Sequence, residues 1–82
     1  MNDQPTVTKT DPTVDDLRQA AMHMVTAMHH IQTAIAETLP AIRHAEHGRH
    51  PHFGPIEDSL RMSRESLLKA FDILDREAAS SV

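Results

Sequence analysis

Apolar side chains recur through the first half of this chain at alternating steps of three and four. Val14, Leu17, Ala21, Met24, Met28, Ile31, Ile35, Thr38 and Ile42 keep that spacing without a break. Read as a heptad, residues 14, 21, 28, 35 and 42 take the a sites, and 17, 24, 31 and 38 the d sites. A register held this long predicts a helix packed lengthwise on another. Ala20, Ala27, Ala34 and Ala41 form a second column on one flank, and Val25 and Leu39 lie on the other. The apolar arc is therefore wider than the roughly 100° stripe of an ordinary surface helix. Such a helix has more than one neighbour.

A second helical pattern fills the C-terminal half. Leu60, Leu67 and Leu74 fall seven apart, joined by Ile56, Phe71 and Ala78 on the same side. The far side carries Glu57–Arg61, Arg61–Glu65, Glu65–Lys69 and Asp72–Arg76 at i,i+4, each pair worth about 0.2–0.5 kcal/mol. Ser59, Ser63, Ser66 and Ala70 make a small-residue column on one flank. Set against the alanine column, it would let the two helices approach more closely than leucine packing permits. Met62 and Ile73 are expected on the exposed far side, where with Met22 they are candidates for a second contact surface.

Prolines and glycines set the boundaries. Residues 1–12 are polar and Thr-rich, and read as a flexible arm. The first helix is expected over about 13–39, capped by Asp11 or Thr13, with carboxylates in its positive first turn. Pro40 removes a backbone donor and clashes with the preceding turn, which predicts a kink or a fresh short helix over 40–47. Gly48 is a natural stop, residues 48–54 read as a turn, and the second helix is expected over about 55–79.

The two long helices have nearly equal lengths, each roughly 37 Å. They match as arms of an all-α antiparallel hairpin occupying residues 13–79. Two helices alone leave much of each seam wet, and a homodimeric four-helix bundle is the simplest closure.

Composition strengthens that expectation. Eighty-two residues allow one small domain, and the chain has no Cys, Trp or Tyr and only Phe53 and Phe71 as aromatics. A core this small usually needs staples or partners, and disulfides are excluded. Eight basic against twelve acidic residues give a formal charge of −4. That balance, with the basic residues interleaved among acids, argues against nucleic acid and anionic membranes as partners. No apolar run approaches a transmembrane span, and a cytoplasmic location is expected.

Seven histidines are the unusual feature of the composition. His44, His47, His50 and His52 surround the turn, and His44 and His47 have a helical i,i+3 spacing able to hold one ion. Zn, Ni or Cu would suit imidazole nitrogen. The competing reading is a solvated, His-rich turn that binds no resident metal, so no cofactor is assigned. His23 and His30, in line with Glu37, are expected on the polar side of the first helix. Full protonation would take the formal charge from −4 to +3, which could loosen an interface lined by histidines near pH 5–6.

No phosphate loop, nucleophile elbow, HExxH or Glu-x-x-His motif occurs, and a hairpin offers little concavity for a catalytic site. The expected function is a non-catalytic protein-interaction module, a regulator, inhibitor or adaptor. Its interface, to a second copy or to another protein, would comprise Val14, Leu17, Ala21, Met24, Met28, Ile31, Ile35 and Ile42 with Leu60, Leu67, Phe71 and Leu74. The alternatives are metal binding at the turn and a structural subunit of a helical assembly.

Overall fold

A computed structural model describes residues 12–80. The expected N-terminal arm, apart from Pro12, which begins the first helix, and the cap at Asp11 lie outside them. Two helices account for the fold: α1, Pro12–Glu46, and α2, Gly54–Ser80. They pack along their length as an antiparallel hairpin. Thr13 shares a recess with Glu77 and Ser80 at one end, and Ala41 shares another with His52 and Pro55 at the other.

Helix α1 passes through Pro40 as one 35-residue element, where a kink or a fresh helix was expected. Proline costs the bond from its own nitrogen to the Ala36 carbonyl, but packing of the preceding turns against α2 holds the remaining backbone in place. Thr38 lends a polar contact here, its Oγ1 donating to the Ala34 carbonyl at 2.7 Å. The helix ends in a Schellman motif. Gly48 takes φ of +72°, its N–H donates to the Ala45 carbonyl at 3.0 Å, and the Arg49 N–H reaches back to His44 at 2.8 Å. Glycine suits that position because a Cβ is disfavoured in the left-handed region. At the start of α2, the Phe53 carbonyl accepts from the Glu57 N–H at 2.9 Å. Pro55 stands in the first turn, where its missing donor leaves nothing unsatisfied.

The two small-residue columns close the hairpin. Ala20, Ala27 and Ala34 of α1 are buried, as are Ser59, Ser63, Ser66, Ala70 and Ile73 of α2. Small side chains let the backbones come close, so contact is made by Cβ atoms and main chain rather than by interdigitated leucines. Ala20, Ala70 and Ile73 form the one apolar cluster of buried residues among those described.

Two expectations are corrected here. Ile73 is 5% exposed, since it lies on the same side of α2 as Ser59 and Ser66, at steps of seven, and so faces Ala20. His23 and His30 are half-buried along the seam rather than on a free polar side. They alternate with Ala20, Ala27 and Ala34 at three- and four-residue steps, which is the spacing of a second heptad lying beside the apolar one. Glu37 continues that column, and Ser59 Oγ donates to its Oε1 at 2.8 Å across the seam. On the outer surface Asp72 and Arg76 pair at 3.6 Å, but Arg61 turns to Asp58 at 2.7 Å instead of to Glu57 or Glu65.

Candidate functional site

Closing the hairpin on alanine and serine leaves the larger apolar residues outside. In α1, Leu17, Met24 and Ile31 lie next to the seam, and Val14, Ala21, Met28, Ile35 and Ile42 lie one position further round. In α2, Leu60, Leu67 and Leu74 lie next to the seam, with Phe71 beyond. In an antiparallel pair, the columns immediately beside a seam fall on the same side of the two-helix slab. The leucines of α2 therefore continue the surface begun by α1.

Exposure supports this geometry. Leu17, Met24 and Ile31 are 38–48% exposed; in the column further out Met28 and Ile35 are 57–60% exposed, and Val14 and Ile42, towards the helix ends, 40% and 48%. Eleven large side chains on this face are each 38–63% exposed. Together they leave on the order of 900 Å² of side-chain surface open per hairpin, where the largest patch on a soluble monomer is typically about 300–600 Å². The opposite side of the slab is polar, with Gln19, Thr26 and Thr33 on α1 and Lys69 and Arg76 on α2, all exposed. Met62, at 49% exposure, sits among them. The hairpin thus has one largely polar face and one largely apolar face.

All twelve residues expected at an interface belong to the apolar side, and none of them is buried in the hairpin itself. The second surface expected from Met22, Met62 and Ile73 does not assemble. Met22, 69% exposed, projects from the outer side of α1, Met62 stands on the polar face, and Ile73 is inside the seam. Sequence reasoning set the alanine and serine columns facing each other but did not identify them as the closure of the hairpin. The signal was the matching seven-residue recurrence of small residues on both helices.

The turn histidines are divided among separate contacts. His47 Nδ1 lies 2.8 Å from the Arg43 carbonyl, and His50 stacks edge-to-face on Phe53 with ring centres 5.9 Å apart. His44 and His52 line one shallow recess with Glu37, Pro40 and Pro55. His44 also borders a second recess with His47, Arg43 and Arg49. Among the described residues, no three His, Asp or Glu side chains converge as an ion would need. No helix there is long and apolar enough to cross a membrane.

Comparison with protein-family models, curated proteins and solved structures finds no match to this chain.

Proposed function

We propose that this protein is a non-catalytic interaction module that docks another helical protein surface on its apolar face. The observation carrying this reading is the separation of roles between columns. Alanine and serine hold the hairpin together, while the leucines, isoleucines, methionines and Phe71 remain on the surface. A chain that needed those side chains only for its own stability would bury them between its helices. An open apolar surface of this size is costly to keep in water, and such surfaces mark contact sites.

The mixture of Met24 and Met28 with leucine suits helical docking, since methionine adapts to irregular partner surfaces. The partner expected is an amphipathic helix or helix pair laid along the slab, presenting apolar side chains at three- and four-residue steps.

The test compares tagged wild-type chain with Leu67→Glu on the apolar face and Met62→Glu on the polar face. Circular dichroism first establishes that all three remain helical. Association, with itself or with a captured protein, should survive Met62→Glu and be lost in Leu67→Glu. Equal association by all three chains would contradict the proposal.

A further inference from the structure

We infer that the occupant of the apolar face is a second copy of this chain. The two copies would be related by a two-fold axis parallel to the helices, with α1 of each against α2 of the other in a four-helix bundle. This inference rests on the docking reading above and names the partner for that surface. Three observations carry it.

The first is area. The exposed apolar surface of each hairpin is of the same order as the roughly 800 Å² per partner of a standard specific interface. A copy supplies an equal and equally apolar surface.

The second is the composition of the hairpin's own interior. Among the described residues the buried apolar ones are four alanines and Ile73, and no large side chain there is fully buried. A domain of this size rarely holds together on a core so small. The apolar face must therefore be covered whenever the hairpin is folded, and a copy of the chain is the partner always present at its synthesis.

The third is register. Ala20 meets Ile73 in the core cluster, and Ser59 reaches Glu37 near the other end. Both helices rise equally per residue, so Arg18 lies level with Asp75, Ala21 with Phe71, and Val25 with Leu68. Within one hairpin these residues are on outer flanks and do not meet. A two-fold parallel to the helices keeps each residue at its level while bringing the outer flank of α1 to the outer flank of α2 in the other copy.

The pairs then complement each other. Arg18 approaches the Asp75 carboxylate of the second copy. Val25 and Leu68, 53% and 54% exposed, come side by side at the edge of this interface, within reach of a short crosslinker. Ala21 leaves room for Phe71, at 63% the most exposed side chain of this face. The same register sets Met28 level with Arg64 and Ile35 level with Glu57, so the complementarity belongs to the three levels named and does not run the length of the column.

The experiment uses the native chain and a cysteine pair, which is clean because the sequence has no Cys of its own. Light scattering on the wild-type chain should give twice its 9.2 kDa mass. Val25→Cys/Leu68→Cys, treated with a short bismaleimide, should form a covalent dimer, and Val25→Cys alone should stay uncrosslinked. A wild-type dimer in which the cysteine pair does not crosslink between copies would overturn the proposed pairing. A folded wild-type monomer would overturn self-association altogether. In that case, an apolar dye that binds wild type and is lost in Leu67→Glu would leave the docking reading standing with another occupant. No dye binding would remove that reading as well.

Discussion

Replacing Ala27 with leucine separates two ways of closing this hairpin, because they predict opposite signs. Ala27 is 1% exposed and lies in the middle of the alanine column, between Ala20 at 0% and Ala34 at 4%. By the register of the hairpin Ala27 lies level with the stretch of α2 between Ser66 and Ala70, 9% and 3% exposed. Leucine adds three carbons there. Given space, their burial would contribute about 0.8 kcal/mol per methylene. The seam offers little such space, since around Ala27 it is closed by buried alanines and serines. The added carbons must push the helices apart or force strained rotamers, which costs about 1–3 kcal/mol. For a domain of this size that is a fall in Tm of roughly 5–20 °C.

Had the hairpin closed on the Val14–Leu17 heptad, Ala27 would lie on a solvated flank. A leucine there would change stability by no more than about 0.5 kcal/mol. Urea unfolding followed by circular dichroism, at one fixed protein concentration, measures the difference. An Ala27→Leu chain as stable as wild type, or more stable, would refute the small-residue seam.

Other parts of the fold make their own predictions. Gly48→Ala should lower stability by about 1–2 kcal/mol in thermal melts, purely through the left-handed backbone, since nothing lies within 4 Å of the added Cβ. Unchanged melting would mean that the helix does not end in the Schellman motif. Pro40→Ala restores a donor to the Ala36 carbonyl inside a continuous helix and should raise stability by about 1–3 kcal/mol. A loss of stability in the same urea titration would show that Pro40 supports the turn through contacts of its own. Ser59→Ala removes the cross-seam bond to Glu37 and should cost about 1 kcal/mol. In a double-mutant cycle with Glu37→Ala, which removes the acceptor, additive losses would argue that this bond contributes nothing.

Much of the architecture is legible in the residue pattern. The three-four spacing from Val14 to Ile42 marks α1, the leucines at 60, 67 and 74 mark α2, and Gly48 marks the turn between them. The closing face is harder to read because two heptads coexist on α1. Conspicuous leucines, isoleucines and methionines outline one of them, while the alanine, histidine and glutamate residues outline the other. Hydrophobicity ranks the first heptad higher, but backbone proximity favours the second, where small side chains permit close packing. His23, His30 and Ile73 were misplaced for this reason. Pro40 illustrates a different difficulty, because its local preference for breaking a helix loses to the packing of the turns before it.

The apolar face itself was also legible, residue by residue, because large apolar side chains keep their periodicity whether they face a partner helix or remain open. Pattern alone does not reveal which helix lies opposite. That information comes from the small-residue columns, since closing them settles which side of each helix remains outside. The histidines of the turn resisted the same reasoning. Their contacts depend on loop geometry around Pro51 and on the helix end at His47, where spacing along the chain is a poor guide to spacing in space.

Methionine oxidation of the unmodified chain offers the most direct test of a covered apolar face. Met24 and Met28 lie on that face, at 40% and 57% exposure in the single hairpin, and Met22 and Met62 lie off it at 69% and 49%. Under dilute peroxide, with each site read by mass spectrometry, Met24 and Met28 should oxidise several-fold more slowly than Met22 and Met62. Dilution below the association range should erase that protection. Equal oxidation of all four at high protein concentration would contradict the account, because the face would then be as open in solution as it is in one isolated hairpin.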